Sequence, residues 1–185
     1  VIGAGFAVTL ASAQSGDEDS FAQLWRDAHP ALLRYLRVVA PSESAEDVAA
    51  EIWLGVVRRL ADFRGDEAAW RGWLFTTARR RVIDEKRRRS RRPSVPVDAT
   101  EERDWPSSPD AADAALENLS TATAIAVIRT LPPLQAEVIM LRVVGGLSNE
   151  QVARLVGRSP GAIRVAAHRG LKQLGAVLRA EGVTP

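Results

Sequence analysis

Gly145-Gly146-Leu147-Ser148-Asn149-Glu150-Gln151-Val152-Ala153-Arg154-Leu155-Val156-Gly157-Arg158-Ser159-Pro160-Gly161-Ala162-Ile163-Arg164 is the stretch that decides the fold. Ser148 followed three residues later by Gln151 is a capping box, in which serine and glutamine side chains satisfy backbone N–H groups at a helix start. The helix it opens ends at Gly157, because glycine takes the left-handed conformation of a helix C-terminus without a steric penalty. Ser159-Pro160 starts a second helix, with serine as N-cap and proline at the first helical position. Two short helices across a tight turn match the helix-turn-helix signature, whose second helix offers its N-terminal residues to the DNA major groove, although the same geometry also occurs in helical bundles that never touch DNA. The residues it would present are Arg158, Ser159, Pro160, Gly161, Arg164, Val165, His168 and Arg169.

Helical spacing continues on both sides of this motif. Leu131, Leu134, Val138 and Leu141 share one face upstream, and Ile163, Ala167, Leu171 and Leu174 share one downstream. Farther back, Pro93, Pro96, Pro106 and Pro109 stand among serines and mark a linker with no means of building a core. Asp98, Glu101, Glu102, Asp104, Asp110 and Asp113 make it acidic. Before the linker, Leu24, Ala28, Ala31, Leu32, Tyr35 and Leu36 recur at helical spacing. Ser44 caps a helix carrying Val48, Ile52, Val56 and Leu60 on one continuous face. Phe63-Arg64-Gly65-Asp66 reads as a loop, and a long helix follows to about Arg89.

The expected fold is all-α: two small helical domains joined by a flexible acidic linker. The boundaries read as a disordered leader over 1–19, a first domain over 20–92, a linker over 93–112, a helix-turn-helix domain over 113–180 and a tail over 181–185. Ala11-Ser12-Ala13 loosely resembles a signal cleavage site but follows no basic segment, which favours a plain leader and a cytoplasmic protein. No apolar run is long enough to span a bilayer.

Composition narrows the chemistry. The chain has no cysteine and only two histidines, which excludes disulfides, a thiol nucleophile and a histidine-rich metal site. No phosphate-cradling glycine loop or nucleophile–base pair occurs, so no catalytic residue, metal or cofactor is expected. The net charge of +2 hides a segregation, with arginine and lysine packed into 79–92 and acids into 98–117. Trp70, Trp73 and Phe75 precede Arg79, Arg80 and Arg81 on one helix. Stacking faces beside a cationic track suit single-stranded nucleic acid. The amphipathic pattern assigns Trp73 to the core and Trp70 to solvent.

Leu131-Pro132-Pro133-Leu134-Gln135-Ala136-Glu137-Val138, Leu147-Ser148, Val152-Ala153, Gly161-Ala162-Ile163-Arg164 and His168-Arg169-Gly170-Leu171-Lys172-Gln173-Leu174 resemble the sigma-4 domain of extracytoplasmic-function (ECF) sigma factors. Ala45-Glu46-Asp47-Val48 with Glu51 and Trp53, Phe63-Arg64-Gly65, Trp73-Leu74, Ala78-Arg79-Arg80, Asp84 and Arg87-Arg88 resemble the sigma-2 domain of the same family. The two stand in the family's order across a linker. The chain departs from the family at three places: Val165-Ala166 where serine and arginine are frequent, Ala50 where glutamine is common, and Arg80 where asparagine is common.

The resemblance implies partners and roles. Core RNA polymerase would be bound through its largest-subunit clamp helices, by Asp47, Val48, Glu51, Ile52 and Arg58, and through its flap. Arg64, Trp70, Arg79, Arg80, Lys86, Arg87 and Arg88 would hold the minus-ten element, with the 64–70 loop taking an extruded base. The helix-turn-helix residues named above would read the duplex minus-thirty-five element, and the acidic linker would thread the polymerase cleft. An anti-sigma factor is a further partner that the family allows. A second reading is an autonomous helix-turn-helix regulator acting without polymerase, against which the aromatic-basic helix argues. A third, a nucleic-acid enzyme with Glu46, Asp47 and Glu51 as metal ligands, lacks the remaining constellation.

Overall fold

The computed structural model describes residues 1–40, 44–90 and 121–180, and all regular structure in them is helical. The linker and tail expected at 93–112 and 181–185, the residues 113–120, and Pro41 lie outside the described residues.

The first unit holds α1 (Phe6–Gln14), α2 (Glu18–Val39), α3 (Ala45–Leu60) and α4 (Glu67–Ser90). Side-chain caps fix two of the starts. Asp17 accepts from the Ser20 amide at α2, and Ser44 accepts from the Asp47 amide at α3. The Ser20 hydrogen bonds also hold the Asp17 carboxyl below its usual range. Leu24, Ala28, Leu32, Tyr35 and Leu36 from α2 meet Val48, Ala49, Ile52, Trp53, Val56 and Leu60 from α3. From α4 come Trp70, Leu74, Ala78 and Val82, a stripe repeating every fourth residue, with Phe75 beside it. Burying side chains of this size stabilises by about 1.5–3 kcal/mol each for the larger aliphatics and phenylalanines. Asp27 and Arg71 tie α2 to α4 at 2.6 Å with both side chains only 11% exposed, so losing one partner would leave a shielded charge uncompensated.

The leader is not disordered. Gly3–Gly5 forms a short 3-10 turn and α1 follows, with Phe6, Leu10 and Ala13 buried against the core. Gln14 donates its side-chain amide to the Leu60 and Phe63 carbonyls, both at 2.8 Å, and so closes the end of α3. Ile2 and Gly3 donate their amides to Glu67 at the start of α4. The helix was hidden in the sequence because Val8, on the opposite side, is also apolar, yet it is 72% exposed. Apolar residues all round erase the one-sided pattern by which an amphipathic helix is read.

The second unit holds α5 (121–129), α6 (Pro133–Ile139), a π-helical turn (Met140–Val144), α7 (Asn149–Val156) and α8 (Pro160–Ala180). Its core is Ile125, Ile128, Leu131, Ala136, Val138, Ile139, Met140, Leu141, Leu147, Val152, Ala153, Ile163 and Ala166. The π turn ends at Gly145, and the Arg142 guanidinium donates to the Leu147 carbonyl at 2.6 Å to brace the loop beyond it.

The cores of the two units are continuous. Tyr35 and Phe75 meet edge-to-face at 5.4 Å, and Phe75 reaches Gly145. A Cβ on Gly145 would lie 2.8 Å from the Leu141 carbonyl and 3.1 Å from the Phe75 ring, so no larger residue fits without displacement. Across the same seam Arg129 donates to the Arg37 carbonyl at 2.8 Å, and Gln151 donates to the Ala68 carbonyl at 2.9 Å.

Candidate nucleic-acid interface

The helix-turn-helix forms as its punctuation requires. Ser148 accepts from the Gln151 amide and Gln151 accepts from the Ser148 amide, completing the capping box. Gly157 adopts φ 69° and ψ 43°, the left-handed turn between α7 and α8. Ser159 then caps α8 by accepting from the Ala162 amide at 3.2 Å. Ile163 and Ala166 anchor α8 in the core, which fixes which residues face outward. Arg158, Ser159, Pro160, Arg164, Val165, His168 and Arg169 are exposed, and Gly161 is half-buried. Arg158, Arg164 and Arg169 have no ion pair among the described residues. The surface therefore offers unspent guanidinium groups, able to meet guanine edges or phosphates.

The surface of α4 is differently arranged. Arg80, Lys86, Arg87 and Arg88 are exposed, while Arg79 is half-buried. Arg79 pairs with Glu137 at 2.9 Å and Arg88 with Glu85 at 2.6 Å. Arg81 pairs with Glu51 at 2.6 Å, and its hydrogen bond holds the Glu51 carboxyl below the usual range. Arg64 is exposed but turns back on its own chain, donating to the Ala61 and Phe63 carbonyls at 2.7 Å.

The two tryptophans exchange the places assigned to them. Trp70, expected at the surface and in the base pocket, is 1% exposed and packs among Phe63, Trp53 and Trp73. It is a core residue, and touching DNA would require unfolding the start of α4. Trp73, expected in the core, is half-buried at the wall of a cleft, with Arg59 over its ring at 5.5 Å. The signal was present: the buried stripe of α4 runs through Trp70, Leu74, Ala78 and Val82, and Trp73 lies off it.

A similar correction applies to α3. Val48 and Ile52, expected to meet polymerase, are 3% and 2% exposed and belong to the core. Asp47, Glu51 and Arg58 do face outward. Between them the surface carries Leu54 and Val57, 58% and 53% exposed, which the sequence reading missed. They sit opposite the Val48–Ile52–Val56 stripe, where helical periodicity calls for polar residues, and that misplacement is the signal.

Between α4 and α7 lies a cleft of about 510 Å³. Trp73, Arg79 and Arg80 form one wall, and Gln151, Arg154 and Leu155 the other. Among the described residues no group of three histidines or acids could hold a metal ion, and no helix is long and apolar enough to cross a membrane.

Sigma-70 region 2 matches residues 24–92, and sigma-70 region 4 matches residues 121–174. The chain is 32% identical to the ECF RNA polymerase sigma factor SigD of Mycobacterium tuberculosis, over 89% of this chain and 80% of that one. It is 33% identical to the ECF RNA polymerase sigma factor ShbA of Streptomyces griseus, over 89% of this chain and 91% of that one. Its fold is similar to that of CnrH, solved in complex with the cytosolic domain of CnrY, with a TM-score of 0.62 and 24% identity over 95% of this chain and 98% of that one.

Proposed function

Because the chain belongs to the ECF RNA polymerase sigma factors of the sigma-70 family, a class that binds core polymerase and recognises promoter elements without catalysing a reaction, we propose how its surfaces divide that work. The outward face of α3 docks on the polymerase clamp helices. Leu54 and Val57 supply the apolar contact, and Asp47, Glu51 and Arg58 supply the charged rim. This replaces Val48 and Ile52, which the fold consumes.

The minus-ten strand runs along α4, where Trp73 stands half-buried at the cleft wall and Arg79, Arg80, Lys86, Arg87 and Arg88 form a cationic track. The loop at Arg64 precedes α4 in the chain. Opening the promoter unstacks bases at a cost of a few kcal/mol, which a stacking face and a cationic groove can offset. The start of α8 enters the major groove of the minus-thirty-five element, with Arg158, Ser159, Pro160, Gly161, Arg164, Val165, His168 and Arg169 at the interface. The second unit sits on the polymerase flap.

The observation that carries this division is the pairing of a fully capped helix-turn-helix, with its arginines outward, and an apolar α3 face that the fold leaves unused. Reconstitution tests it. Added to sigma-free core polymerase, the chain is expected to give promoter-specific RNA, and the double variant Leu54→Glu, Val57→Glu to lose holoenzyme assembly while keeping its helicity. Assembly at wild-type affinity by that variant would remove α3 from the clamp interface. An absence of promoter-specific RNA with the wild-type chain would sink the division as a whole.

A further inference from the structure

The last residue of α1 makes its side-chain bonds outside its own helix. Gln14 Nε2 donates to the Leu60 carbonyl and to the Phe63 carbonyl, both at 2.8 Å. A carboxamide has two N–H groups, so these bonds use every donor the side chain has. Leu60 closes α3 and Phe63 stands in the loop before α4, so one side chain sets the spacing of two backbone carbonyls. The Leu60 carbonyl also accepts from the Phe63 amide at 3.1 Å, and the Phe63 carbonyl from Arg64 Nη1 at 2.7 Å. Inside the turn the Phe63 ring meets Trp70 at 5.6 Å and Trp73 at 5.3 Å. The rest of the loop, from Ala61 to Asp66, is exposed.

The other end of α1 reaches the far root of the same loop. Ile2 and Gly3 donate their amides to the two carboxylate oxygens of Glu67, the first residue of α4, at 2.8 and 2.9 Å. Between these ends Phe6, Leu10 and Ala13 are buried, and Thr9 donates to Gln23 of α2 at 3.3 Å. Just beyond Gln14, the Ser15 and Asp17 amides return to the Ala11 and Ser12 carbonyls, which holds its backbone as well. α1 thus braces the loop at both roots. A recognition site on a loop is only as sharp as the contacts that support it from behind, with tolerances of about 0.5 Å.

We propose that Gln14 is a positioning residue for base selection: by holding the Leu60 and Phe63 carbonyls it fixes the turn that seats an extruded minus-ten base, and so sets how sharply that base is discriminated. The inference rests on the assignment of the loop before α4 to an extruded base. Gln14 itself stays behind the turn and does not touch DNA.

Two variants remove the donors. Gln14→Met keeps the length of the side chain, and Gln14→Glu keeps its shape but sets an acceptor against two carbonyl oxygens. In the free full chain, amide hydrogen exchange over residues 61–66 is expected to become several-fold faster, with the buried stretches of α2 and α4 unchanged. Holoenzyme reconstituted with core polymerase is then offered premelted templates randomised in the unpaired non-template strand, and the bound fraction is sequenced. Gln14→Met is expected to lower base selection several-fold at one position and to leave the others as in the parent. The double variant Asp62→Ala, Arg64→Ala, which alters the loop itself, is expected to lose selection at that same position.

Unchanged exchange in the loop overturns the proposal, as does an even loss of binding across all sequences, which is what a merely structural role gives. Selection that falls in the loop variant and not in Gln14→Met overturns the positioning role alone. Selection unaltered at every position by the loop variant removes the base from the loop, and the proposal falls with that assignment.

Discussion

The arginines of α4 and α8 differ in how far the fold engages them. On α4, Arg71, Arg79, Arg81 and Arg88 are all engaged, by Asp27, Glu137, Glu51 and Glu85. On α8 and the turn before it, Arg158, Arg164 and Arg169 have no ion pair among the described residues. Within the denser run, Arg79, Arg81 and Arg88 are paired, while Arg80 and Arg87 are exposed with no ion pair among the described residues. What a basic segment offers to nucleic acid depends on which acids the fold brings beside it. A duplex presents phosphates on a preformed surface, and in the proposed division α8 meets it with arginines that no ion pair among the described residues engages. In the proposed division the melted strand meets α4, part of whose charge is engaged by acids.

The largest expected effect concerns how the two helices are built. Trp70→Ala removes a large buried side chain from α4 and is expected to lower stability by about 3–5 kcal/mol. Urea unfolding measures this. Loss of strand binding with an unaltered unfolding curve would instead return Trp70 to the surface and erase the contrast with Trp73.

Arg164→Ala on α8 is expected to leave unfolding unchanged and weaken duplex binding. Bidentate contact with a base gives a loss of about 1–3 kcal/mol confined to the recognised sequence. Phosphate contact gives a loss on all sequences and a shallower salt dependence. Titration against specific and unrelated duplexes at several salt concentrations separates the two. Normal affinity and normal salt dependence together would show that the free guanidinium does not reach DNA.

The smallest effect is a pH dependence confined to the first unit. His29 stacks on Trp25 at 4.2 Å and accepts from Trp53 Nε1 at 3.1 Å through Nδ1. Burial holds its imidazole below the ordinary value of 6.5, against the opposing pull of Glu46. The neutral form is therefore favoured by folding. Its contribution is complete above pH 6.5 and is lost as pH falls from there through the lower folded value. His29→Gln keeps an acceptor for Trp53 and cannot titrate. The variant is expected to show a flatter stability profile across that window while duplex binding by α8 stays unaltered. Identical profiles for the variant and the parent would assign the pH response elsewhere.

The parts of the molecule visible in the sequence are those encoded within a few residues. Ser148, Gln151, Gly157 and Ser159 locate α7 and α8 because each acts on its neighbours along the chain. Trp70 and Trp73 are hard to tell apart in the sequence because both are tryptophans on one helix, and only the full four-residue repeat through Val82 distinguishes them. Val48 and Ile52 cannot serve both as core and as docking surface, because they lie on one buried side of α3. The seam left no local trace, since Tyr35 and Glu137 are 102 residues apart and nothing near either announces the other.

That separation along the chain also sets an order in time. Arg79 leaves the ribosome 58 residues before Glu137, and at bacterial elongation rates that interval is about 3–12 seconds. Contacts so distant in sequence form late, while α1 to α4 can already pack among themselves. Each newly made chain therefore passes through a brief age in which Arg79 has no carboxylate from α6 to hold it. A nascent chain and a finished one differ in whether Arg79 is paired, and the translation rate of the second unit sets how long the younger form lasts.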